Sequence, residues 1–451
     1  MLRLAWPALV EQLLNILVSL TDTWLAGNLL PDPAYLSAIG LMAYLMWLMF
    51  AVYSPISIGA TALIARFMGA GDRKLAVRVM RQALLVGGAF SALSMVCLFF
   101  GGRYLVWLMK LDGVAAAAAT EYLAVCALIA PALMLEHVGI SSLRGAGDTV
   151  TGFIIMSIVN VVNAVASYSL LTGLGPLPEL GWTGLALGTA IGHCVGACLV
   201  LAALLKGRVG LRLHLAGLRW DPALIKRLFA VGVPGGLDMW SILGCQLVFV
   251  AIVFSIGDLA QAAHGLAIRV ESLAYLPGGA FAIAATTLSG QYLGAKDPRR
   301  ATRAALLALA TGGGLLTLMG VVFFVVPRPL IGLFVSEANQ QAGDLAATLL
   351  AVVAWAMPPM AVSMILTGAL RGAGDTRYPL VVTIVTFVGV RIPATAILAH
   401  NLLGLEIIDA WLPDVPSRTV AAWLVMTAEV YLRAVLVAWR FWHGGWREIE
   451  V

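Results

Sequence analysis

Charge is scarce in this 451-residue chain. Lys, Arg, Asp and Glu make up 11% of it and hydrophobic residues 61%, whereas soluble domains carry roughly 25% charged residues. Mean hydropathy is +0.95. A soluble fold could not hide so much apolar surface. Cysteine is sparse as well. Cys97, Cys126, Cys194, Cys198 and Cys245 all lie inside apolar runs, without metal-type spacing or loop pairs. They read as small packing residues, so neither a disulfide framework nor a zinc site is expected. Alternating ten-residue strands are missing, which excludes an outer-membrane barrel. There is also no soluble basic domain, so the net charge of +5 points to no nucleic-acid partner.

What is present is a series of apolar runs 18 to 30 residues long, suited to helices crossing a hydrocarbon core about 30 Å thick. Twelve spans are expected near residues 4–29, 35–66, 77–108, 116–143, 149–172, 182–205, 226–256, 260–293, 299–335, 342–370, 378–403 and 419–443. The first is too long for a signal-peptide core, lacks a clear cleavage site and carries Glu11 and Asp22, so it reads as a retained helix. The fold class is therefore an all-α polytopic membrane protein. Its organisation is a six-span lobe (1–205), a cytoplasmic linker (206–225), a second six-span lobe (226–443) and a cytoplasmic tail (444–451).

Orientation follows from the basic residues. Arg66, Arg73, Lys74, Arg78 and Arg81 follow the second span, Lys206, Arg208, Arg212, Arg219, Lys226 and Arg227 the sixth, and Lys296, Arg299, Arg300 and Arg303 the eighth. Arg144, Arg371 and Arg377 follow the fourth and tenth. The opposite loops are acidic, with Asp32, Asp112, Glu179, Asp258, Glu337, Asp344, Asp409 and Asp414. Both termini are expected in the cytoplasm of a cell whose inner membrane holds the chain.

The chain repeats itself. Leu143-Arg144-Gly145-Ala146-Gly147-Asp148-Thr149 recurs as Leu370-Arg371-Gly372-Ala373-Gly374-Asp375-Thr376, 227 residues on. Gly69-Ala70-Gly71-Asp72 matches Gly294-Ala295-Lys296-Asp297, and Pro7 matches Pro234, which sets Glu11 opposite Asp238. A six-span unit has been duplicated, and its like loop charges make the copies parallel repeats. The glycines permit a tight turn, and Asp-Thr opening the next helix is a capping signal.

Ionisable groups inside a bilayer are functional candidates. At 100° per residue, Glu11, Asn15 and Asp22 form one polar stripe on the first span. The fifth span adds Asn160, Asn163 and Ser167, and the sixth Thr189 and His193 on one face. Their oxygens could coordinate Na⁺, with Asp22, Asn163 and Thr189 as ligands, or a buried carboxylate could take up and release H⁺. Cross-helix hydrogen bonding is the plainer role for Asn160, Thr189 and His193. The second half carries Asp238, Gln246, Arg269, Glu271, Arg391 and Glu429 as candidate cavity or lobe-stabilising groups. Arg269 is expected to pair with an acid from another helix, and Arg391 to form a structural ion pair. The position matching Asp22 is Phe249, so a carboxylate at this level exists in the first half alone.

Pro7-Ala8-Leu9-Val10-Glu11-Gln12 with Asp22-Thr23-Trp24-Leu25-Ala26-Gly27, the two LRGAGDT segments, the Asn163 region and the run Gly181 to Thr189 together resemble the multidrug and toxic compound extrusion (MATE) transporters. Ala262-Ala263-His264 and Gln291-Tyr292-Leu293-Gly294-Ala295 fit as well, and the resemblance spans the chain, nearest the DinF-like branch. It implies an alternating-access antiporter, not an enzyme, that expels organic cations, drugs or amphipathic compounds against H⁺ or Na⁺. No cofactor is implied, and the protein would act as a monomer among membrane lipids. Asp22 resembles the essential first-helix carboxylate, with Asn163 and Thr189 as its polar partners. DinF-type members carry a second acid where this chain has Ser167, which leaves Asp22 to titrate alone or with Glu11. A lipid-linked oligosaccharide flippase of the same superfamily would want several cavity arginines or lysines, and only Arg269 and Arg391 qualify. A membrane enzyme would want a grouped nucleophile and base, and His137, His193 and His264 show no such grouping.

Overall fold

A computed structural model describes residues 1–214, 219–334 and 339–449, apart from the side chains at 43, 45 and 47. Glu337, part of the expected acidic loops, lies outside the described residues, as do residues 215–218 of the linker. The described residues are helical or in turns, with no strand among them.

In chain order the helices are α1 (Leu2–Leu29), α2 (Ala34–Gly69), α3 (Arg73–Leu108), α4 (Gly113–Leu128), α5 (Ala130–Gly145), α6 (Val150–Thr172), α7 (Gly181–Lys206), α8 (Pro222–Phe254), α9 (Asp258–Gly294), α10 (Pro298–Val325), α11 (Pro327–Gly332), α12 (Gln340–Ala354), α13 (Met357–Ala373), α14 (Arg377–Thr383), α15 (Ile392–His400), α16 (Glu406–Trp411) and α17 (Val415–His443). A π-helical turn, Ile384–Arg391, joins α14 to α15. Among the described residues, nine of these helices and the continuous run Arg377–His400 are long and apolar enough to cross a membrane singly, and two bent pairs raise the number to twelve. Bulky apolar side chains such as Phe99, Phe100, Trp107, Leu318 and Trp439 point outward. That is unfavourable in water and natural in lipid, so the chain is a multi-pass membrane protein.

Two expected spans are not single helices. The fourth breaks into α4 and α5 with a bend of 56°, and the tenth into α12 and α13 with one of 55°. Pro131 and Pro358, 227 residues apart, open the second segment of each pair. Proline lacks the N–H that would continue the preceding turn and clashes with its carbonyls. The expected ninth span also ends early. α10 stops at Val325, and Pro327 starts the separate α11.

The duplicated turns adopt duplicated geometry. Asp72 accepts from the Leu75 amide at 2.9 Å and Asp297 from the Arg300 amide at 2.9 Å, capping α3 and α10 as N-cap carboxylates do. In the LRGAGDT copies, the Asp148 amide donates to the Leu143 carbonyl and the Asp375 amide to Leu370, each at 2.9 Å. This closure puts Gly147 and Gly374 at φ +94° and +90°, a region where a side chain would be strained.

The chain divides into two compact units, Leu2–Gly236 and Leu237–Glu450, and the division falls within α8. The first turns of α8 therefore belong with the first unit. There, Gly232 and Gly236 lie so close to Pro55 of α2 that neither could carry a Cβ without displacing it. Tyr53, Leu63, Met80, Leu133 and Leu204 centre the main core of this unit. Phe249, Leu350, Met357 and Trp423 centre that of the second.

Candidate cation-coupling site

The first unit brings four helices to one buried carboxylate. Asp22 of α1 is 3% exposed. Its Oδ2 accepts from the Thr189 hydroxyl of α7 at 2.7 Å and the Tyr122 hydroxyl of α4 at 3.1 Å, and its Oδ1 from the Asn163 amide of α6 at 3.2 Å. Asn163 also donates to Thr189 Oγ1 at 3.1 Å and to Ser167 Oγ at 3.3 Å. Its own Oδ1 is buried without a partner. Tyr122 is held by Trp182, whose ring centroid lies 5.5 Å away and whose indole N–H donates to the Ala118 carbonyl at 2.9 Å.

The closeness of α6 and α7 makes the cluster possible. Gly184, Gly188, Gly192 and Gly196 recur at every fourth residue along α7, a small-residue seam of the kind that lets membrane helices pack backbone to backbone. A Cβ at Gly188 would run into the backbone of Ser167, and one at Gly184 into that of Leu170. Overpacking costs about 1–3 kcal/mol, and backbone cannot yield as a side chain can. Gly188→Val is expected to lower the unfolding temperature and abolish export, while Gly101→Ala, where nothing lies within 4 Å, leaves both near wild type. A thermal-shift assay with an efflux measurement checks this.

The other candidates go elsewhere. Glu11 is bound by Arg144 and does not join Asp22. Asn160 donates to the Leu14 and Met156 carbonyls at 3.0 and 2.8 Å, tying α6 to α1. Asn15 donates to the Glu11 carbonyl. In the second unit Asp238 pairs with Arg371 at 2.6 Å and accepts from the Thr383 hydroxyl at 2.5 Å. Arg391 pairs with Glu429 at 3.0 Å, as expected of a structural ion pair, and donates to Gln246 at 3.1 Å. Its guanidinium lies 5.3 Å from the Phe249 ring centroid, so the position equivalent to Asp22 carries an aromatic under a cation. Glu271 accepts from the Tyr275 hydroxyl at 2.8 Å. Arg269 corrects the expectation of a partner. It sits on the exposed side of α9 and forms no ion pair among the described residues, because Ala267 and Val270 occupy the face turned inward.

Of the buried carboxylates among the described residues, Asp22 and Glu271 alone lack an ion-pair partner. At the turn before α6, Asp148 has every partner it needs. Burial pushes its carboxyl up, but two bonds from Thr151 and the Arg208 guanidinium outweigh this and hold it below its ordinary 3.8. Tyr122 and Glu136 were not among the sequence candidates. For Glu136 a signal existed, a lone charge in an apolar run, whereas Tyr122 gave none.

A cavity of about 600 Å³ opens at one end of the first unit, walled by Tyr35, Glu121, Glu179 and Trp182. Trp182 is thus shared between this acidic cavity and the Tyr122 that touches Asp22.

The MatE family profile matches residues 7–169 and again 234–397. The chain belongs to the MatE family. Its two matched segments start 227 residues apart, at Pro7 and Pro234, as the repeat does. Among curated relatives, this MatE chain is similar to a probable multidrug resistance protein NorM of Thermotoga maritima, 28% identical over all of this chain and 93% of the relative. A probable NorM of Burkholderia pseudomallei is 30% identical over 97% of this chain and 91% of the relative. A solved multidrug resistance MATE transporter of the MOP superfamily superposes at TM-score 0.88, with 20% identity, covering 100% of this chain and 96% of that one. A MOP superfamily transporter from Pyrococcus furiosus superposes at 0.87, with 21% identity over 99% and 96%. At such identities the solved structures establish the shared fold.

Proposed function

We propose that this MatE protein is a secondary active efflux antiporter of the inner membrane, exporting cationic or amphipathic organic compounds in exchange for H⁺ or Na⁺. The observation that carries the exchange is Asp22, a carboxylate buried among three helices' hydroxyl and amide groups with no basic partner. An ion left unpaired in such surroundings costs several kcal/mol, so the site favours a proton or a cation from outside. The unpartnered Asn163 Oδ1, with the Asp22, Thr189 and Ser167 oxygens, makes an oxygen-rich setting suited to a hard cation. The relatives named for multidrug resistance support drug-like substrates.

On the orientation that the basic loops favour, the termini are cytoplasmic and the cavity beside Trp182 faces outward. Its Glu121 and Glu179 would concentrate cations there. Substrate enters from the cytoplasm and a cation binds Asp22 from outside. Each favours a different state of the transporter, which couples their movements. A flippase is disfavoured because a pyrophosphate wants several cavity cations, and of the two candidates Arg391 is committed to Glu429, which leaves Arg269 alone. The test is efflux of a fluorescent organic cation from proteoliposomes with Na⁺ and pH gradients imposed separately. One gradient is expected to drive export, and export driven by neither would overturn the assignment.

A further inference from the structure

Glu136 of α5 and His193 of α7 form a second buried ionisable contact in the first unit. His193 Nδ1 lies 3.1 Å from Glu136 Oε2, and the residues are 5% exposed. The contact is built in. A Cβ at Gly196 would come within 2.7 Å of Glu136 Oε2, so the last glycine of the α7 seam is what admits the carboxylate. Gly192, beside His193, packs on Asn163 of the Asp22 cluster, and Thr189 lies one turn from His193 on the same helix.

Among the ion pairs of the described residues, no fixed cation besides Arg144 balances the carboxylates around this contact. Glu11, Asp22 and Glu136 are all buried carboxylates, and the fixed cation paired among them is Arg144. Glu11 lies within electrostatic reach of Glu136, and His193 within reach of Asp22 as well as Glu136. Among the described residues, Cys194 of α7 also lies within electrostatic reach of Glu136, and His137 within that of Arg144. Tyr122 and Cys126 of α4 lie toward Asp22, and α6 offers the uncharged Asn160 and Asn163. Two negative charges are left over, and uncompensated buried charge is costly. A cation or proton at Asp22 removes one of them. A proton on His193 removes the other.

The repeat isolates the same group. The Glu11–Arg144 pair is duplicated as Asp238–Arg371, which marks it as common architecture. At the 227-residue offset, the counterpart of Glu136 is Ser363 and that of Tyr122 is Leu349. The second contact is therefore confined, like the Asp22 cluster, to one copy.

We propose that Glu136 and His193 form a second proton-binding site, acting with Asp22 in the export cycle. With the proton bound, imidazolium donates from Nδ1 to the Glu136 carboxylate and the pair is neutral. When the proton leaves to water, neutral imidazole keeps that hydrogen bond and the pair carries one negative charge. This rests on the antiport reading and names H⁺ as an ion it uses.

The test follows protons released by weakly buffered, purified protein on binding tetraphenylphosphonium, read with a pH-indicator dye. Binding linked to protonation releases a countable number. His193→Gln and Glu136→Gln, which keep a polar side chain at the contact, are expected to release about half the wild-type number and to flatten the pH profile of export. Asp22→Asn is expected to remove the other part. Two substitutions that lower the unfolding temperature but leave proton count and pH profile at wild-type values would show a structural contact and overturn the proposal. Wild-type protein carrying isotope-labelled histidine gives the answer without a substitution. One histidine should lose its imidazolium signal when tetraphenylphosphonium binds, and no change would overturn the proposal. A wild type that releases no proton while a Na⁺ gradient drives export also overturns it and leaves the antiport reading standing. Export under neither gradient removes that reading itself.

Discussion

Asp22→Asn is expected to fold, to reach the membrane and to lose gradient-driven export. The carboxylate contacts Thr189, Tyr122 and Asn163 through acceptor oxygens. An amide of the same shape keeps an oxygen for two of these donors but cannot bind a proton or neutralise a cation. Little packing changes, so the unfolding temperature stays near wild type or rises, since replacing an unpaired buried charge with a neutral group relieves desolvation. Export should fall at least about tenfold, equivalent to about 1.4 kcal/mol or more of lost coupling free energy. Substrate should still bind, because the loss lies in the exchange step. Export undiminished in everted vesicles would sink the assignment. Tyr122→Phe removes one of the three donors and leaves the charge, so its effect should be a shifted ion dependence with transport retained.

The site was half legible in the sequence. The stripe Glu11, Asn15 and Asp22 follows from helical spacing, and Asn163 and Thr189 stand out as polar groups in apolar runs. The stripe nevertheless divides. Glu11 and Asp22 share a face, yet 11 residues at 1.5 Å separate them by about 16 Å along the axis, and a different neighbour meets each. Arg144 takes the first and Tyr122 the second. Angular position on one helix carries no information about what the facing helix offers at each level. Tyr122 escaped because its hydroxyl gains meaning only from a partner 100 residues away. The helix breaks were within reach, because Pro131 and Pro358 fall at the repeat offset. The π-helical turn at Ile384–Arg391 was only partly so: Pro393 removes the N–H that would bond to the Gly389 carbonyl, but a proline does not decide between a break and a π-turn. Its effect is to set Arg391 over Phe387, 4.3 Å from the ring centroid, beside Glu429. The duplication was the most secure reading, because it rests on identity between distant segments and needs no packing information.

Duplication also makes the largest stability effect calculable. Arg371 belongs to the second LRGAGDT copy, and its guanidinium reaches Asp238 at 2.6 Å, with Thr383 bonding the other carboxylate oxygen at 2.5 Å. The Asp238 side chain is 1% exposed and that of Arg371 20%. Removing one member of such a pair strands the other as a buried charge, at a cost of about 3–5 kcal/mol, whereas replacing both with apolar groups of similar volume is often neutral. Arg371→Met should therefore unfold well below wild type, and Asp238→Leu combined with Arg371→Met should recover most of the loss. Thermal unfolding of the two variants decides the matter. A single variant as stable as wild type would mean that the pair contributes little. A double variant as unstable as the single would mean that Arg371 acts through other contacts. Export by the double variant carries a separate message. If the pair is common architecture and the exchange belongs to Asp22, export should return with stability. A stable double variant that does not export would assign the Asp238–Arg371 pair a part in the transport cycle that its duplication in Glu11–Arg144 would then share.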